Sequence, residues 1–159
     1  MELNLSWKKL KKIPEDVFKK QSLRKLFLDH NSISEIPADI TKLTLLDELS
    51  LIGNHIAVFP REICRLTSLT KLSIGYCRLE SLPDELANLE KLQHILLHHN
   101  EFEVFPQVLT KLKELRHINL SDNLITEIPP EIGNLEHLNG LTMEDNELTA
   151  LPSEFGRLK

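Results

Sequence analysis

The side chains best suited to chemistry in this chain are histidines in its second half. His94 and His117 stand 23 residues apart, the interval that also separates many of the leucines. If this interval is a structural repeat, the two imidazoles lie on neighbouring strands about 4.8 Å apart. Two imidazoles can bind a metal ion, but a stable site needs a third ligand. His98 follows His94 on the same strand at about 13 Å by strand rise, so we predict no metal site.

A second group that bears on chemistry consists of the carboxylates Asp122, Glu144 and Asp145, which fall on neighbouring turns of the same repeat. Paired carboxylates perform acid–base catalysis in sites that shield them from water, whereas these lie on an open surface. The sequence also has no G-x-S-x-G motif, phosphate-binding loop, dinucleotide fingerprint or H-E-x-x-H motif. We therefore predict a solvated acidic face and a chain that is not an enzyme and needs no cofactor.

The elements that position these side chains follow from the 23-residue period. It predicts a solenoid in which each repeat forms one turn. Seven repeats begin near residues 1, 23, 46, 69, 92, 115 and 138, and we assign all of residues 1–159 to a single repeat domain. The leucines that open the later repeats are Leu23, Leu46, Leu69, Leu92, Leu115 and Leu138.

Each repeat follows the pattern L-x-x-L-x-L-x-x-N-x-L-x-x-L-P-x-x-L-x-x-L-x-x. The L-x-L segment alternates with period two, which predicts a short strand with both leucines in the core. Proline recurs at one position in every repeat, and its missing N–H suits a short helical or 3-10 turn on the side away from the sheet.

The asparagine position of the pattern predicts a ladder of buried amides that bond to the backbone of their own and neighbouring turns. One member of this ladder is a cysteine, and we expect that small, weak donor to be structural rather than reactive. The ladder residues are Asn31, Asn54, Cys77, Asn100, Asn123 and Asn146.

The solvent-facing positions of the strands hold apolar residues that folding does not require. The only tryptophan and the only tyrosine of the chain are both outside the core positions, and these two types are enriched among the residues that dominate protein interfaces. The apolar candidates for partner binding are Trp7, Phe27, Ile52, Tyr76 and Leu96. The polar candidates, which would surround them and steer an acidic partner, are Arg24, Lys25, Lys71, His98 and Arg116.

These L-P-x-x-[IL] repeats resemble the intracellular class of leucine-rich repeats. Similar repeats occur in Ras-scaffold and Ras-suppressor proteins, in scribble- and erbin-type polarity proteins, and in plant Ras-group-related and bacterial repeat proteins. The resemblance covers essentially the whole chain. It implies an α/β fold, a right-handed solenoid or horseshoe of seven repeats, with a parallel sheet on the concave face and short helical or 3-10 turns on the convex face. It also implies that the concave sheet binds protein.

We therefore predict a protein–protein interaction module, or scaffold, that binds a folded signalling protein such as a small GTPase or a phosphatase. The alternative is a regulatory or targeting segment of a larger enzyme, such as a kinase or ubiquitin ligase, or of an effector whose catalytic domain lies elsewhere. The net charge of −5 argues against nucleic acid as a partner. The sequence contains no apolar run of about 18 residues, so it predicts no membrane span. Two cysteines favour a reducing compartment, which predicts a cytoplasmic location.

The C-terminal end carries a further expectation. Phe155 and Leu158 occupy core positions of the last repeat, and terminal repeats of solenoids normally need a polar cap. We expect either that the natural protein continues beyond Lys159 or that another chain covers this end. The covering chain could be a second copy of this one, which would be self-association.

Overall fold

The fold is a stack of seven similar turns, each with one strand. The computed structural model describes residues 1–158, and Lys159 lies outside the described residues. The strands form one sheet in chain order, and every neighbouring pair is parallel. Each of the first six strands therefore pairs with its equivalent 23 residues later, as the period predicts. The strands are β1 (Glu2–Asn4), β2 (Lys25–Phe27), β3 (Glu48–Ser50), β4 (Lys71–Ser73), β5 (His94–Leu96), β6 (His117–Asn119) and β7 (Gly140–Thr142).

A short 3-10 helix follows each strand on the opposite side of the turn. Each begins directly after the proline of its repeat, because the fixed φ of proline suits the entry into a helical turn. The helices are η1 (Glu15–Lys19), η2 (Ala38–Lys42), η3 (Arg61–Arg65), η4 (Asp84–Asn88), η5 (Gln107–Lys111), η6 (Pro130–Asn134) and η7 (Ser153–Arg157). The seven parallel strands and their 3-10 turns confirm the predicted fold class. No helix within residues 1–158 is long and apolar enough to cross a membrane.

The core lies between the sheet and the 3-10 helices and consists of the leucine positions of successive repeats. Leu26 and Leu28 are fully buried, as are their equivalents one repeat later, Leu49 and Leu51. Burying such a side chain stabilises the fold by about 1.5–3 kcal/mol before the cost of chain entropy. Phe155, which the pattern places in the core, is only partly buried on the last turn.

The chain leaves the sheet through a residue in the left-handed backbone conformation. This is the third residue after each strand, with φ between 49° and 70°. We call the set the left-handed column: Trp7, His30, Gly53, Tyr76, His99, Asp122 and Asp145. Glycine is the residue that adopts this conformation without steric cost, yet only one of the seven repeats uses it. The next residue in each later repeat belongs to the asparagine ladder.

Candidate functional site

The solvent-facing side of the sheet carries the predicted binding residues. We call it the sheet face: the first and third residues of each strand and the second residue after it, which on β2 are Lys25, Phe27 and Asp29. The left-handed column borders it. Phe27, Ile52 and Leu96 are half-buried on this face. The strand register places Ser50 and Ser73 between Phe27 and Leu96, so the small serine side chains separate these two apolar residues.

The two remaining apolar candidates are exposed aromatic residues of the left-handed column. Trp7 is 71% exposed and Tyr76 is 50% exposed. Trp7 stacks on His30 with ring centroids 4.0 Å apart, and Tyr76 stacks on His99 at 3.9 Å. Neither histidine was predicted to be a stacking partner, although each lies 23 residues after its aromatic partner, and that spacing was the available signal.

Gly53 lies between the two aromatic stacks. A Cβ atom on this glycine would be 2.6 Å from His30 Nδ1, so the imidazole leans over the glycine backbone. The left-handed column is therefore two stacked pairs with a break at β3, rather than one continuous row of rings.

Charged residues at the start of the strands form a ladder that neutralises part of the sheet face. Glu48 Oε2 lies 3.1 Å from Lys25 Nζ, and Glu48 Oε1 lies 3.0 Å from Lys71 Nζ. Burial opposes ionisation of Glu48, but hydrogen bonds from the two lysines outweigh burial and lower its pKa. Arg24 lies 4.0 Å from Asp47. Lys25 and Lys71 therefore leave less positive charge for a partner than two unpaired lysines would.

His94 and His117 lie side by side on β5 and β6. Their rings are stacked with centroids 4.8 Å apart and an angle of 9° between the planes. Burial lowers the pKa of His94, and the nearby positive charges of His117, Lys71 and Arg116 lower it further. Within residues 1–158, no group of three or more His, Cys, Asp or Glu side chains can hold a metal ion.

A cluster of unpaired polar atoms lies where β5 and β6 end. His98 Nδ1, His99 Nδ1 and Ser121 Oγ are buried without a hydrogen-bond partner in the described structure. His99 Nδ1 is 3.2 Å from Asp122 Oδ2, but the two atoms do not form a hydrogen bond. Ser121 is 7% exposed. Each buried polar group without a partner costs about 1–3 kcal/mol, so a partner or a water molecule that bonds to these atoms would recover that free energy.

His98 is the one predicted polar candidate that lies in this cluster. Its ring covers Gly75, where a Cβ atom would be 2.7 Å from His98 Cε1, and it meets the edge of the Tyr76 ring at 5.4 Å. Burial lowers the pKa of His98, and the neighbouring His99 adds to this effect. Both effects favour the uncharged imidazole, in which one ring nitrogen can accept a hydrogen bond.

The asparagine ladder binds successive turns together beneath the left-handed column. Asn54 Nδ2 donates to the carbonyl oxygens of Leu28 and Leu51, both at 3.0 Å, and Asn54 Oδ1 accepts from the Ile33 N–H at 3.0 Å. Cys77, at the equivalent position, makes a single weak contact from Sγ to the Leu51 oxygen at 3.7 Å. Burial raises the pKa of the Cys77 thiol, so little of the reactive thiolate forms.

Comparison with known proteins places the repeats in a family. A family model described as "leucine-rich repeat region" matches residues 3–118, and one described as "leucine rich repeat" matches residues 114–135. A leucine-rich repeat protein of Leptospira interrogans has a similar structure, with a TM-score of 0.81 and 30% identity. That alignment covers 99% of this chain and 46% of the Leptospira chain.

Two other solved structures are similar. The plant peptide hormone receptor RGFR1, in complex with RGF2, gives a TM-score of 0.77 at 30% identity, over 92% of this chain and 24% of the receptor chain. An internalin of Listeria monocytogenes gives 0.79 at 22% identity, over 93% of this chain and 43% of the internalin, and shows the fold alone. The chain thus spans less than half the length of each of these proteins. No curated protein matches the sequence.

Proposed function

The chain belongs to the leucine-rich repeat family, and from that premise we propose that it is an interaction module that binds a folded protein partner through the sheet face. The leucine-rich repeat fold commonly mediates protein–protein interaction and is typically not catalytic. The plant receptor among the similar structures is itself in complex with RGF2.

The observation that carries this proposal is the choice of residues in the left-handed column. A residue other than glycine pays about 1–2 kcal/mol to adopt this conformation, and Gly53 shows that glycine serves the turn equally well. Trp7 and Tyr76 adopt this unfavourable conformation although both are exposed, so packing in the core does not explain why an aromatic residue occupies either position. Backbone strain of this kind is concentrated at functional sites, and Trp and Tyr are enriched among residues that dominate interface energetics.

The polar surroundings support a partner with acidic character at its contact surface. Arg24 and Arg116 border the sheet face, while Lys25 and Lys71 together retain one net positive charge after their contacts with Glu48. Charges at the border of an interface mainly steer the encounter and set specificity. We further propose a signalling partner, with a small GTPase or a phosphatase as candidates, and a cytoplasmic location, which is supported by the small number of cysteines.

A second candidate function is a regulatory or targeting segment of a larger enzyme, such as a kinase or a ubiquitin ligase. The observation that favours it is that similar structures are at least twice as long, since the chain covers 46% of the Leptospira protein and 24% of the plant receptor. In that case the sheet face would bind the substrate or the regulator of the attached catalytic domain.

The test is a Phe27→Ala, Tyr76→Ala double variant. Proteins captured from a lysate by the wild-type chain are identified, and the dissociation constant of each purified partner is then measured with both forms. We expect the double variant to bind at least about tenfold more weakly, because interface anchors contribute about 2 kcal/mol or more each. The matched control is Val58→Ala, which removes an exposed apolar side chain away from the sheet face. Unchanged affinity in a double variant that is still folded would exclude this face as the binding site.

A further inference from the structure

The two halves of the sheet face differ in whether a carboxylate lies near each cationic side chain. On β2 to β4 each cation has a carboxylate within 4.0 Å. Asp47 forms an ion pair with Arg24, and Glu48 forms ion pairs with both Lys25 and Lys71. On β5 to β7 the residue before each strand and the first residue of the strand include no acidic side chain. These residues are Gln93, His94, Arg116, His117, Asn139 and Gly140.

Arg116 is therefore a fixed positive charge beside the stacked imidazoles and without its own counter-ion among the described residues. Among the described residues, Arg116 makes no ion pair within 4.0 Å, whereas Arg24, its equivalent on β2, does. The register places Lys71 directly beside His94, and His94 directly beside His117. On the outer side, Gly140 has no side chain, and the His117 ring occupies the space above it.

We propose that Lys71, His94, Arg116 and His117 form an oxyanion site for a phosphoryl group carried by a protein partner. This proposal rests on the proposed function, since it specifies the chemistry of the partner at the same sheet face. The guanidinium of Arg116 supplies a planar pair of donors that matches two phosphoryl oxygens. The imidazoles of His94 and His117 and the Lys71 ammonium, on adjacent strands, supply the further donors.

Charge favours a phosphoryl group over a carboxylate. Glu48 already forms an ion pair with Lys71. The positive charge left to bind a ligand is the fixed charge of Arg116 and that of one proton that the histidine pair can take up. A phosphoryl group carries about −1.5 to −2 at neutral pH, which balances an arginine plus one imidazolium. A carboxylate carries a single charge, which Arg116 alone balances, and the histidine pair would then have no role.

Proton uptake by the histidines follows from the groups that surround them. His94 faces Lys71 on β4, and Arg116 and His117 on β6, all of which oppose its protonation, while the more distant Glu48 favours it. A bound dianion reverses the local potential, so it raises the pKa of His94. Because binding and protonation are reciprocally linked, phosphoryl binding tightens as the pH falls from about 7.5 to about 6.5, above the second phosphoryl pKa of about 6.

The experiment is a titration of the protein, labelled with nitrogen-15 in its histidines, with N-acetyl-phosphoserine N-methylamide at pH 7.5 and 6.5. We expect the ring resonances of His94 and His117 to shift saturably, those of His94 towards imidazolium values, with tighter binding at pH 6.5. Arg116→Gln and His117→Gln should each weaken binding at least about fivefold. The matched control is Arg24→Gln, at the equivalent position on β2, which should leave binding unchanged.

Two results would overturn the site. One is the absence of a saturable shift at His94 and His117, and the other is an equal loss of affinity in the Arg24→Gln variant. A third arm with N-acetyl-glutamate N-methylamide tests the ligand class, because binding as tight as that of the phosphoserine amide would assign the site to carboxylates and refute the phosphoryl proposal.

Failure of this site is distinguishable from failure of the proposed function. If the phosphoserine amide does not bind but the Phe27→Ala, Tyr76→Ala variant loses its protein partner, only the oxyanion site is wrong. If the amide binds and the double variant keeps its partner, the oxyanion site stands and the partner does not use Phe27 and Tyr76 as anchors.

Discussion

At the scale of single residues, the left-handed column shows where this sequence departs from what folding alone favours. Six of its seven positions carry a side chain in a conformation that glycine adopts more easily. Tyr76 stacks on His99 and Trp7 stacks on His30, and each such aromatic pair stabilises the fold by about 0.5–1.5 kcal/mol. The exposed ring faces are thus held in place by their neighbours on the next strand.

Replacing Tyr76 with glycine and with alanine separates the backbone cost from the side-chain contact. Both variants lose the stack on His99, but only alanine keeps the unfavourable conformation at φ 49°. We expect Tyr76→Gly to be more stable than Tyr76→Ala by about 1 kcal/mol, measured as the free energy of unfolding in urea.

The comparison at position 76 has a matched control at Val58. This residue is exposed and is not among the residues with positive φ. There the order should reverse, because glycine loses more conformational entropy on folding than alanine does. A less stable glycine variant at both positions would show that the left-handed conformation carries no cost in this fold.

At the scale of elements, the asparagine ladder connects each turn to the next. Asn100 repeats the arrangement of Asn54, with donors to Ile74 and Leu97 and an acceptor for the Leu79 N–H. The 3-10 helices have no side-chain cap hydrogen bonds, and most side-chain hydrogen bonds between turns are made at this ladder. Cys77 interrupts it at the fourth repeat.

Exchanging the ladder residues should change stability in opposite directions. Cys77→Asn gives the Ile56 N–H an acceptor and adds a donor to the Ile74 oxygen, so we expect a gain of about 1–2 kcal/mol at roughly 1 kcal/mol per hydrogen bond. Asn54→Cys leaves the Ile33 N–H without its acceptor and should cost about 1–3 kcal/mol. Denaturant unfolding of the two variants checks both signs. A loss of stability in Cys77→Asn would show that the larger amide does not fit the fourth turn.

At the scale of the whole molecule, the solenoid is a one-dimensional stack in which each turn contacts only its neighbours. Leu49 and Leu51 in the third turn are fully buried, whereas their equivalents Leu141 and Met143 in the last described turn are only partly buried. Local stability should therefore decrease from the middle of the stack towards β7 and η7.

Hydrogen exchange measures this gradient directly. We expect the amides that pair β3 with β4 to be the most protected, and those of η7 to exchange at least about tenfold faster, which corresponds to about 1.4 kcal/mol. The Leu51 N–H, which bonds to the Ser73 oxygen, and the Leu158 N–H, which bonds to the Phe155 oxygen, are suitable reporters. Equal protection of the two amides would mean that the stack opens only as a unit.

Much of the architecture was determined by the sequence alone, because a repeat of constant length in a parallel stack leaves little freedom. The period of 23 residues places Glu48 between Lys25 and Lys71, and His94 beside His117, before any coordinates are known. The alternation of leucines then decides which residues point into the core. Seven strands, the proline-led turns and the outward position of Tyr76 all follow from these two rules.

The directions of the side chains were decided only by the tertiary structure. Spacing placed Glu48 between Lys25 and Lys71, whereas only the structure shows that the two oxygens of its carboxylate reach both ammonium groups. It also gave no sign that His98 turns towards Gly75, so that its Nδ1 and the Ser121 hydroxyl are buried without partners. The physical reason is that the period fixes where each Cα lies, while a rotamer depends on the space and charge that neighbouring turns leave to it. The functional chemistry of the sheet face depends on those rotamers.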